Sequence, residues 1–363
     1  PVSILNSDLI REIKFYTGAF PANRGGAMSS VMDITLKDGN PDKRSYKGTL
    51  GASEAGISTS GHIGSRTTYI ASVRQSYLQL LFKVLGLPML PNYIDGQFKS
   101  KTKIDSTNEI SFIALAGFDN MKLSDDPDDK GDEYLLSYLP VLKQETFTVG
   151  ATYKHFSDRH IQTYSLSYNY LNNRSRKYLD NDESIDDNLI LYSSGLEGKA
   201  QMRFENRSYY GSWTVREGAD FYFRHYDADV YRQLKTGIPL DYGADLSFFG
   251  GGFFASVDYK SPGSKLNASA GIRSDAASYS ANTASFWKQF SPRASVSYLP
   301  WKNWSFNASA GFYHQLPPIT ALSFRDSSGS LANKELDYMR VVSAAAGADW
   351  KYADRLFIGL EGF

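Results

Sequence analysis

The stretch that decides the fold is residues 304–312, which read Trp304-Ser305-Phe306-Asn307-Ala308-Ser309-Ala310-Gly311-Phe312. Apolar side chains stand at every second position, and small polar residues or glycine stand between them. Because successive side chains of a β-strand point to opposite faces of its sheet, this alternation predicts a strand with one apolar and one polar face. The same alternation recurs in residues 147–153, 163–170, 265–273 and 341–352.

The two faces of these strands differ in a way that indicates a membrane. The apolar faces are rich in alanine and aromatic residues, whereas the buried face of a soluble sandwich favours bulky Val, Ile and Leu. Lipid on one side and a wet lumen on the other suit the observed pattern. The 25 Tyr and 22 Phe among 363 residues and the mean hydropathy of −0.38 agree, because aromatic rings gather at membrane interfaces while lumen and loops stay polar.

Charge and cysteine content exclude several classes of protein. Lys and Arg (39) balance Asp and Glu (39), so no basic excess points to nucleic acid. The absence of cysteine excludes disulfides, thiolate metal sites and a cysteine nucleophile. No run of about 20 apolar residues predicts a transmembrane helix. Pro1 is not a start methionine and no signal-peptide pattern follows it, so we expect the chain to begin within a longer protein.

The pattern predicts about fifteen strands from Tyr46 onward. They run over residues 46–53, 56–64, 67–79, 95–104, 108–119, 143–156, 161–172, 192–205, 211–225, 244–260, 265–280, 291–299, 304–314, 339–352 and 355–363. Short connections alternate with mostly long ones, and short turns at one rim with long loops at the other are typical of outer-membrane barrels. We therefore predict an all-β, antiparallel transmembrane barrel with its turns in the periplasm. The aromatic residues near those turns should form a girdle: Tyr259, Tyr298, Trp301, Trp304, Trp350 and Tyr352.

Residues 1–44 differ from the rest. They predict a loop at 20–26, one strand at 31–36 and a linker at 37–42. A piece of this length is too short to form a domain of its own. We therefore divide the chain into residues 1–44, the end of a larger unit, and residues 45–363, the barrel.

The segment from Ile10 to Gly39 carries a family resemblance. It reads IREIKFYTGAFPANRGGAMSSVMDITLKDG and resembles the end of the plug domain in TonB-dependent outer-membrane receptors, where a strand, a glycine-containing loop and a final strand lead into the barrel. Arg24-Gly25-Gly26 takes the loop position, with Arg24 where the family has Tyr, and residues 34–39 take the exit strand. The sequence of this segment resembles receptors with an N-terminal carboxypeptidase-like regulatory domain more closely than the starch-utilisation SusC type.

The resemblance implies a barrel of about 22 strands filled by a plug, so that about seven strands are expected beyond Phe363. It also implies import of a specific ligand across the outer membrane with energy from the TonB complex, whose contact segment would lie upstream of Pro1. The implied partners are TonB, the ligand and outer-membrane lipid, with a surface lipoprotein as a further candidate; no cofactor is implied. From the residues alone, a passive porin or an outer-membrane secretion or assembly component stays open.

Candidate ligand-binding residues lie at the rim and in the lumen. His225 and His314 stand near the outer ends of strands, and Arg224 and Arg273 face the lumen. Other charges predicted to face the lumen are Lys199, Arg203, Glu205, Arg216 and Asp220. For these charges, pairing with one another and with the plug is favoured over substrate binding. An enzyme would need Ser, His and an acidic group together at the rim, and no such constellation is seen; a soluble all-β binding protein would not need the segregation of turns and loops.

No metal site is predicted. The five histidines are scattered over different strands and turns without the spacing of metal ligands. Two acidic clusters lie in predicted loops: Asp125, Asp126, Asp128, Asp129, Asp132 and Glu133, and Asp180, Asp182, Glu183, Asp186 and Asp187. Lys130 stands where a calcium loop of the EF-hand type needs an oxygen ligand, so both clusters are interpreted as solvated loops. The run Gly250-Gly251-Gly252 predicts a bend inside a strand.

Overall fold

The chain forms one large sheet and one small sheet. The computed structural model describes residues 4–17, 20–124, 130–235, 237–326, 328–353 and 355–363. In the small sheet, β1 (Ile10–Thr17) pairs antiparallel with β2 (Ser30–Leu36). In the 15-stranded antiparallel sheet, each strand pairs with the next along the chain. The strands are β3 (Ser45–Leu50), β4 (Glu54–Ile63), β5 (Thr67–Ser76), β6 (Met89–Lys103), β7 (Asn108–Leu123), β8 (Val141–Phe156), β9 (His160–Tyr178), β10 (Leu189–Tyr210), β11 (Trp213–Arg232), β12 (Leu240–Lys260), β13 (Leu266–Ala277), β14 (Ser291–Trp301), β15 (Trp304–Gln315), β16 (Met339–Tyr352) and β17 (Leu356–Gly362).

The predicted all-β antiparallel barrel is confirmed as a partial one. Strands β3 and β17 are the two edges of the sheet and do not pair, so the barrel wall is open. All fifteen predicted strands are present, but β9 runs on to Tyr178 and β11 to Arg232, several residues beyond their predicted ends. Arg174 and Asp227 lie in these extensions. The apolar alternation fades there while the backbone hydrogen bonds continue, because pairing of backbones does not require an apolar face.

The connections segregate by length, as predicted. Between strands at one rim lie turns as short as residues 211–212 and no longer than residues 261–265. At the other rim, the first connection, residues 51–53, is short. All later connections there are longer than any turn of the first rim, and the longest is residues 316–338. This rim carries the helices α1 (Leu78–Val84), α2 (Lys130–Tyr138), α3 (Ala281–Ala284) and α4 (Ile319–Leu322). Within the described ranges, none of the helices has the length and apolar character needed to cross a membrane.

The two faces of the wall have different surroundings. We define the inner face of the wall as the face that contacts the N-terminal segment, residues 1–44. Residues paired directly across neighbouring strands share a face. The outer face exposes large apolar side chains over much of its height: Phe118, Phe147, Leu166, Met202, Phe221, Phe249, Phe253, Ile272 and Val296. Near the turns, Tyr259 packs against Trp213 and Trp304 against Trp350, with ring centroids 4.7 Å and 6.4 Å apart. These contacts belong to the predicted aromatic girdle.

The inner face carries an apolar cluster where a long loop folds against it. Strands β11 and β12 present Tyr226, Leu246 and Phe248 there, and Leu316, Ile319 and Leu322 of the loop over residues 316–338 pack on them. The Tyr279 hydroxyl shares its one proton in a bifurcated hydrogen bond with the carbonyl oxygens of Leu322 (3.0 Å) and Asn333 (2.9 Å). The loop is therefore anchored inside the wall by both apolar burial and hydrogen bonds.

Tyr279→Phe should loosen this loop without unfolding the barrel. The change removes the bifurcated hydrogen bond and keeps the ring, so the anchoring free energy should fall by about 1–2 kcal/mol. Limited proteolysis should then cut within residues 316–338 several times faster. Tyr242→Phe is the control, since Tyr242 contacts the loop by its ring, 5.4 Å from Phe324. Equal cleavage of the two variants would contradict the role of the hydroxyl.

Candidate functional site

The loop over residues 20–26 sits inside the wall and is held there by Arg293 of β14. The Nη1 atom of Arg293 lies 3.2, 2.9 and 2.7 Å from the carbonyl oxygens of Phe20, Pro21 and Arg24. Its guanidinium also stacks on Phe20 and Tyr313, at 4.8 and 4.6 Å from their centroids. Phe20 and Tyr313 are both buried, and their ring centroids lie 4.5 Å apart. One arginine thus satisfies three backbone carbonyls in a dry environment, where an unpaired carbonyl is costly.

A second contact holds the middle of the same loop. Arg203 of β10 donates to the Asn23 carbonyl oxygen (2.7 Å) and pairs with Glu205 (2.9 Å). The Asn23 side-chain amide donates to Glu205 (3.2 Å). Arg207 pairs with the other oxygen of Glu205 (3.2 Å). The lumen charges predicted in this region therefore bind one another and the N-terminal segment.

A third contact explains the first glycine of the Arg24-Gly25-Gly26 run. Arg273 is buried and binds Asp220 at 3.0 Å and Asp275 at 2.8 Å. Gly25 lies directly on this guanidinium, so a methyl group at position 25 would overlap it. Arg24 itself forms an ion pair with Asp33 of β2. The charge of Arg24 is therefore balanced by Asp33 of β2, and the loop presents only the backbone of Gly25 to Arg273.

The triple glycine of β12 serves the same cluster. The pairing of β12 with β11 and β13 runs through residues 250–252 without a shift in register. A side chain at Gly250 would overlap Tyr222, and one at Gly252 would overlap Asp275. The predicted bend leaves no mark on the pairing, and these glycines make room for large side chains on the inner face.

The exit from the small sheet is anchored on β6. Lys99 donates to the carbonyl oxygen of Leu36 (3.0 Å) and to Asp38 (2.6 Å), and Lys101 also pairs with Asp38 (3.3 Å). On the same inner face, Gln97 accepts a hydrogen bond from the backbone of Asn6 (3.1 Å). The N-terminal segment is thus fixed at two places far apart on the wall.

The seated loop lies between two cavities. On the long-loop side, a cavity of about 280 Å³ is lined by the loop, β10, β11, β13 and Tyr338. On the turn side, a cavity of about 210 Å³ is lined by Phe20, Ala22, Arg216, Asp258 and other residues. We call them the loop-side cavity and the turn-side cavity. The loop over residues 20–26 separates them.

Comparison with known proteins agrees with this architecture. Residues 91–363 match the family described as TonB dependent receptor-like, beta-barrel. The chain belongs to this TonB-dependent receptor family. Its members are outer-membrane receptors and transporters. The match confirms the family that was recognised from the sequence, and it lies outside residues 10–39. No curated protein matches the receptor chain by sequence.

Solved receptors share the fold. A mutant of the ferric enterobactin receptor PfeA of Pseudomonas aeruginosa superposes with a TM-score of 0.72 at 12% identity, covering 98% of this chain and 58% of that one. The alcaligin receptor FauA of Bordetella pertussis gives 0.65 at 12% identity, covering 98% and 57%. The copper transporter OprC gives 0.68 at 12% identity, covering 94% and 56%. The receptor chain thus spans somewhat over half the length of each.

The four ligand candidates of the receptor fall in different places. Arg224 lines the loop-side cavity and pairs with Glu197 (2.7 Å). Arg273 lines it too but is buried beneath Gly25. His225, the next residue after Arg224, lies on the outer face and contacts Ser247 (2.9 Å), because neighbouring strand residues alternate faces. His314 is buried against Ser291 (2.8 Å).

Several residues that build this site were not singled out by sequence reasoning. Arg293, Tyr313 and Lys99 carry the main contacts to the N-terminal segment. Arg293 falls within a predicted strand, but its sequence neighbours give no sign that three loop carbonyls lie beside it. A polar-face arginine between short polar residues is the one signal available, and many lumen residues share it.

The first acidic cluster has no described side chains: Asp125, Asp126, Asp128 and Asp129 lie outside the described residues, as do the side chains of Asp132 and Glu133. In the second cluster, Asp182 accepts hydrogen bonds from Ser184, and Glu183 pairs with Arg176 (3.0 Å). Hydrogen bonding to Ser184 lowers the pKa of the exposed Asp182 carboxyl. Among the residues that the structure describes, no group of three His, Asp or Glu side chains is arranged to hold a metal ion.

Proposed function

We propose that the chain lies in the outer membrane as part of a receptor that imports a specific ligand with energy from the TonB complex. Residues 1–44 would be the end of its plug, and residues 45–363 part of its barrel. The family supports the receptor class. The hydrogen bonds that hold the loop over residues 20–26 inside the wall support the division of the chain into plug and barrel. The long loops would face outward and the short turns the periplasm, as is usual for such barrels.

The seated loop favours gated import over the porin alternative. A passive porin needs an open, water-filled lumen, whereas here Arg203 and Arg293 hold a loop in it by hydrogen bonds. Recording ion conductance in planar bilayers tests this choice. An importer should show no steady conductance, and its ligand uptake should cease in cells lacking TonB. A steady open channel, or uptake that persists without TonB, would favour the porin.

The charges of the loop-side cavity favour an anionic ligand. Of the five cations that line it, Arg24, Arg203 and Arg224 pair with the neighbouring carboxylates of Asp33, Glu205 and Glu197, and Arg273 pairs with the lining carboxylates Asp220 and Asp275. Lys199 makes no ion pair among the described residues and lies 4.9 Å from the Tyr222 ring centroid. Nη1 of Arg273 is buried without a hydrogen-bond partner in the described chain. Positively charged donors without a carboxylate or hydrogen-bond partner, such as Lys199 and Nη1 of Arg273, suit a ligand with acidic oxygens. Ferric enterobactin, named for the similar receptor PfeA, is a reasonable first probe.

Lys199→Gln with Arg224→Gln should weaken binding of an anionic ligand. Each lost cation removes a charge-assisted hydrogen bond, so the affinity should fall about 10- to 100-fold in total. Titration of detergent-solubilised receptor with ferric enterobactin, and with a neutral iron chelate, measures the change. Lys103→Gln with Lys154→Gln removes equal charge away from the cavity and should leave affinity unchanged. Equal losses in both double variants would contradict the assignment.

A further inference from the structure

The outer face carries a basic patch at the long-loop end of β7, β8 and β9. It consists of Lys122, Lys143, Arg174 and Arg176, all of them exposed. Lys143 is paired in register with Arg174, and Val141 with Arg176. Tyr168, six residues nearer the turn than Arg174 on β9, belongs to the exposed apolar part of the same face. These cations therefore point away from the lumen and from any imported ligand.

The height of the patch is set by the strands that carry it. Lys122 lies four residues beyond the exposed Phe118 on β7, and Lys143 lies four residues from the exposed Phe147 on β8. At about 3.3 Å per residue, each cation stands about 13 Å beyond an aromatic side chain of the apolar surface. That is the level of lipid headgroups when the apolar surface lies in the hydrocarbon layer.

The charges of the patch are incompletely balanced. Lys143 pairs with Glu145 (2.9 Å) and Arg176 with Glu183 (3.0 Å). Lys122 and Arg174 make no ion pair in the part of the chain that is described. Like charges directly opposite each other across strands, as Lys143 and Arg174 are, destabilise a sheet. An anion bound between them would remove this cost.

The surface is also concave. Lys122, Lys143, Arg174 and Arg176 line a cavity of about 800 Å³ together with Leu90 and Tyr192 and neighbouring residues. Cations and apolar residues thus border one hollow. A phospholipid or glycolipid binds to such a surface with both of its parts, because its phosphates accept hydrogen bonds from the cations and its acyl chains pack on the apolar side chains.

We propose that Lys122, Lys143, Arg174 and Arg176 form a binding site for the phosphates of a membrane glycolipid whose acyl chains lie on the apolar surface below. The site rests on the membrane placement proposed above, but not on import. Two unmatched cations suit a headgroup with two phosphates. Arg174 would bind phosphate through its fork of donors, and Lys122 as a point charge.

Native mass spectrometry of receptor extracted in detergent tests the site. Lipid A with two phosphates is titrated against monophosphoryl lipid A and against inorganic pyrophosphate. The wild type should retain the bisphosphorylated lipid most strongly, and Lys122→Gln with Arg174→Gln should lower that affinity about tenfold or more. Lys265→Gln with Lys302→Gln removes equal charge from exposed turns at the opposite rim and should change nothing.

Each remaining outcome overturns a distinct claim. Heat-modifiable gel migration first shows that every variant is folded. Equal binding of both lipids, or equal loss in both double variants, would overturn the lipid site alone. Binding of pyrophosphate as strong as that of the lipid would replace it with a site for free phosphates. A receptor that stays soluble without detergent would overturn the membrane placement and the lipid site together.

Discussion

Arg293→Ala is expected to release the loop over residues 20–26 and to open a conducting path through the receptor. The change leaves the carbonyl oxygens of Phe20, Pro21 and Arg24 without their donor. It also removes the cation between the rings of Phe20 and Tyr313. A hydrogen bond from a charged donor contributes about 1.5–3 kcal/mol, and the buried carbonyls left without a donor add a desolvation cost. Planar-bilayer recordings should change from closed to steadily conducting, and TonB-dependent uptake should fall.

Arg216→Ala is the matched control for this variant. Arg216 also faces the lumen, in the turn-side cavity, but pairs with Asp258 (2.6 Å) and not with the loop. It should leave the receptor closed. A closed Arg293→Ala receptor, or equal conductance in both variants, would show that Arg293 does not seat the loop.

Gly25→Ala should also displace the loop, because a methyl group replaces a hydrogen where Arg273 lies. The new methyl would overlap the guanidinium, which Asp220 and Asp275 hold in place. Either Arg273 leaves these carboxylates or the loop moves away, at a cost of about 2–3 kcal/mol. With Ala22→Cys as a reporter, maleimide labelling should become about 30- to 150-fold faster, because protection of a buried site follows its opening free energy. The chain has no cysteine of its own.

Gly26→Ala separates this overlap from backbone strain. Gly26 has a φ of 68°, and nothing lies within 4 Å of a methyl placed there. Alanine at a positive φ costs only about 1 kcal/mol, so labelling should rise about fivefold. If Gly26→Ala opened the loop as much as Gly25→Ala, strain would be the cause and the contact with Arg273 would be irrelevant.

The fold of this receptor was predictable because alternation is a local property. In residues 304–312 every second side chain is apolar or aromatic, and the observed strand Trp304–Gln315 follows it almost residue for residue. Prediction failed at the outer ends of β9 and β11, where polar residues such as Arg174 stand on the face that is apolar lower down. The helices of the long loops were missed, and the strand predicted over residues 67–79 ran into the helix Leu78–Val84, because short apolar runs do not distinguish strand from helix.

The candidate site was predictable only in outline. The sequence indicated that lumen charges would bind one another and the N-terminal segment, and Arg203, Glu205 and Arg273 do so. It placed Arg224 in the lumen and His225 near the rim as ligand candidates, but it did not show that Arg224 lines the loop-side cavity while His225 lies on the outer face. One residue of register decides between lumen and outer surface, and that register is set by cross-strand pairing.

The sequence by itself determined the strands, their order, the segregation of turns from loops and the kinship with TonB-dependent receptors. Each of these depends on residues close together in the chain. Only the tertiary structure decided that Arg293 would meet carbonyls about 270 positions away and that Gly25 would rest on Arg273. The physical reason is that such contacts join residues far apart in sequence, whose meeting depends on how the whole wall curves around the N-terminal segment.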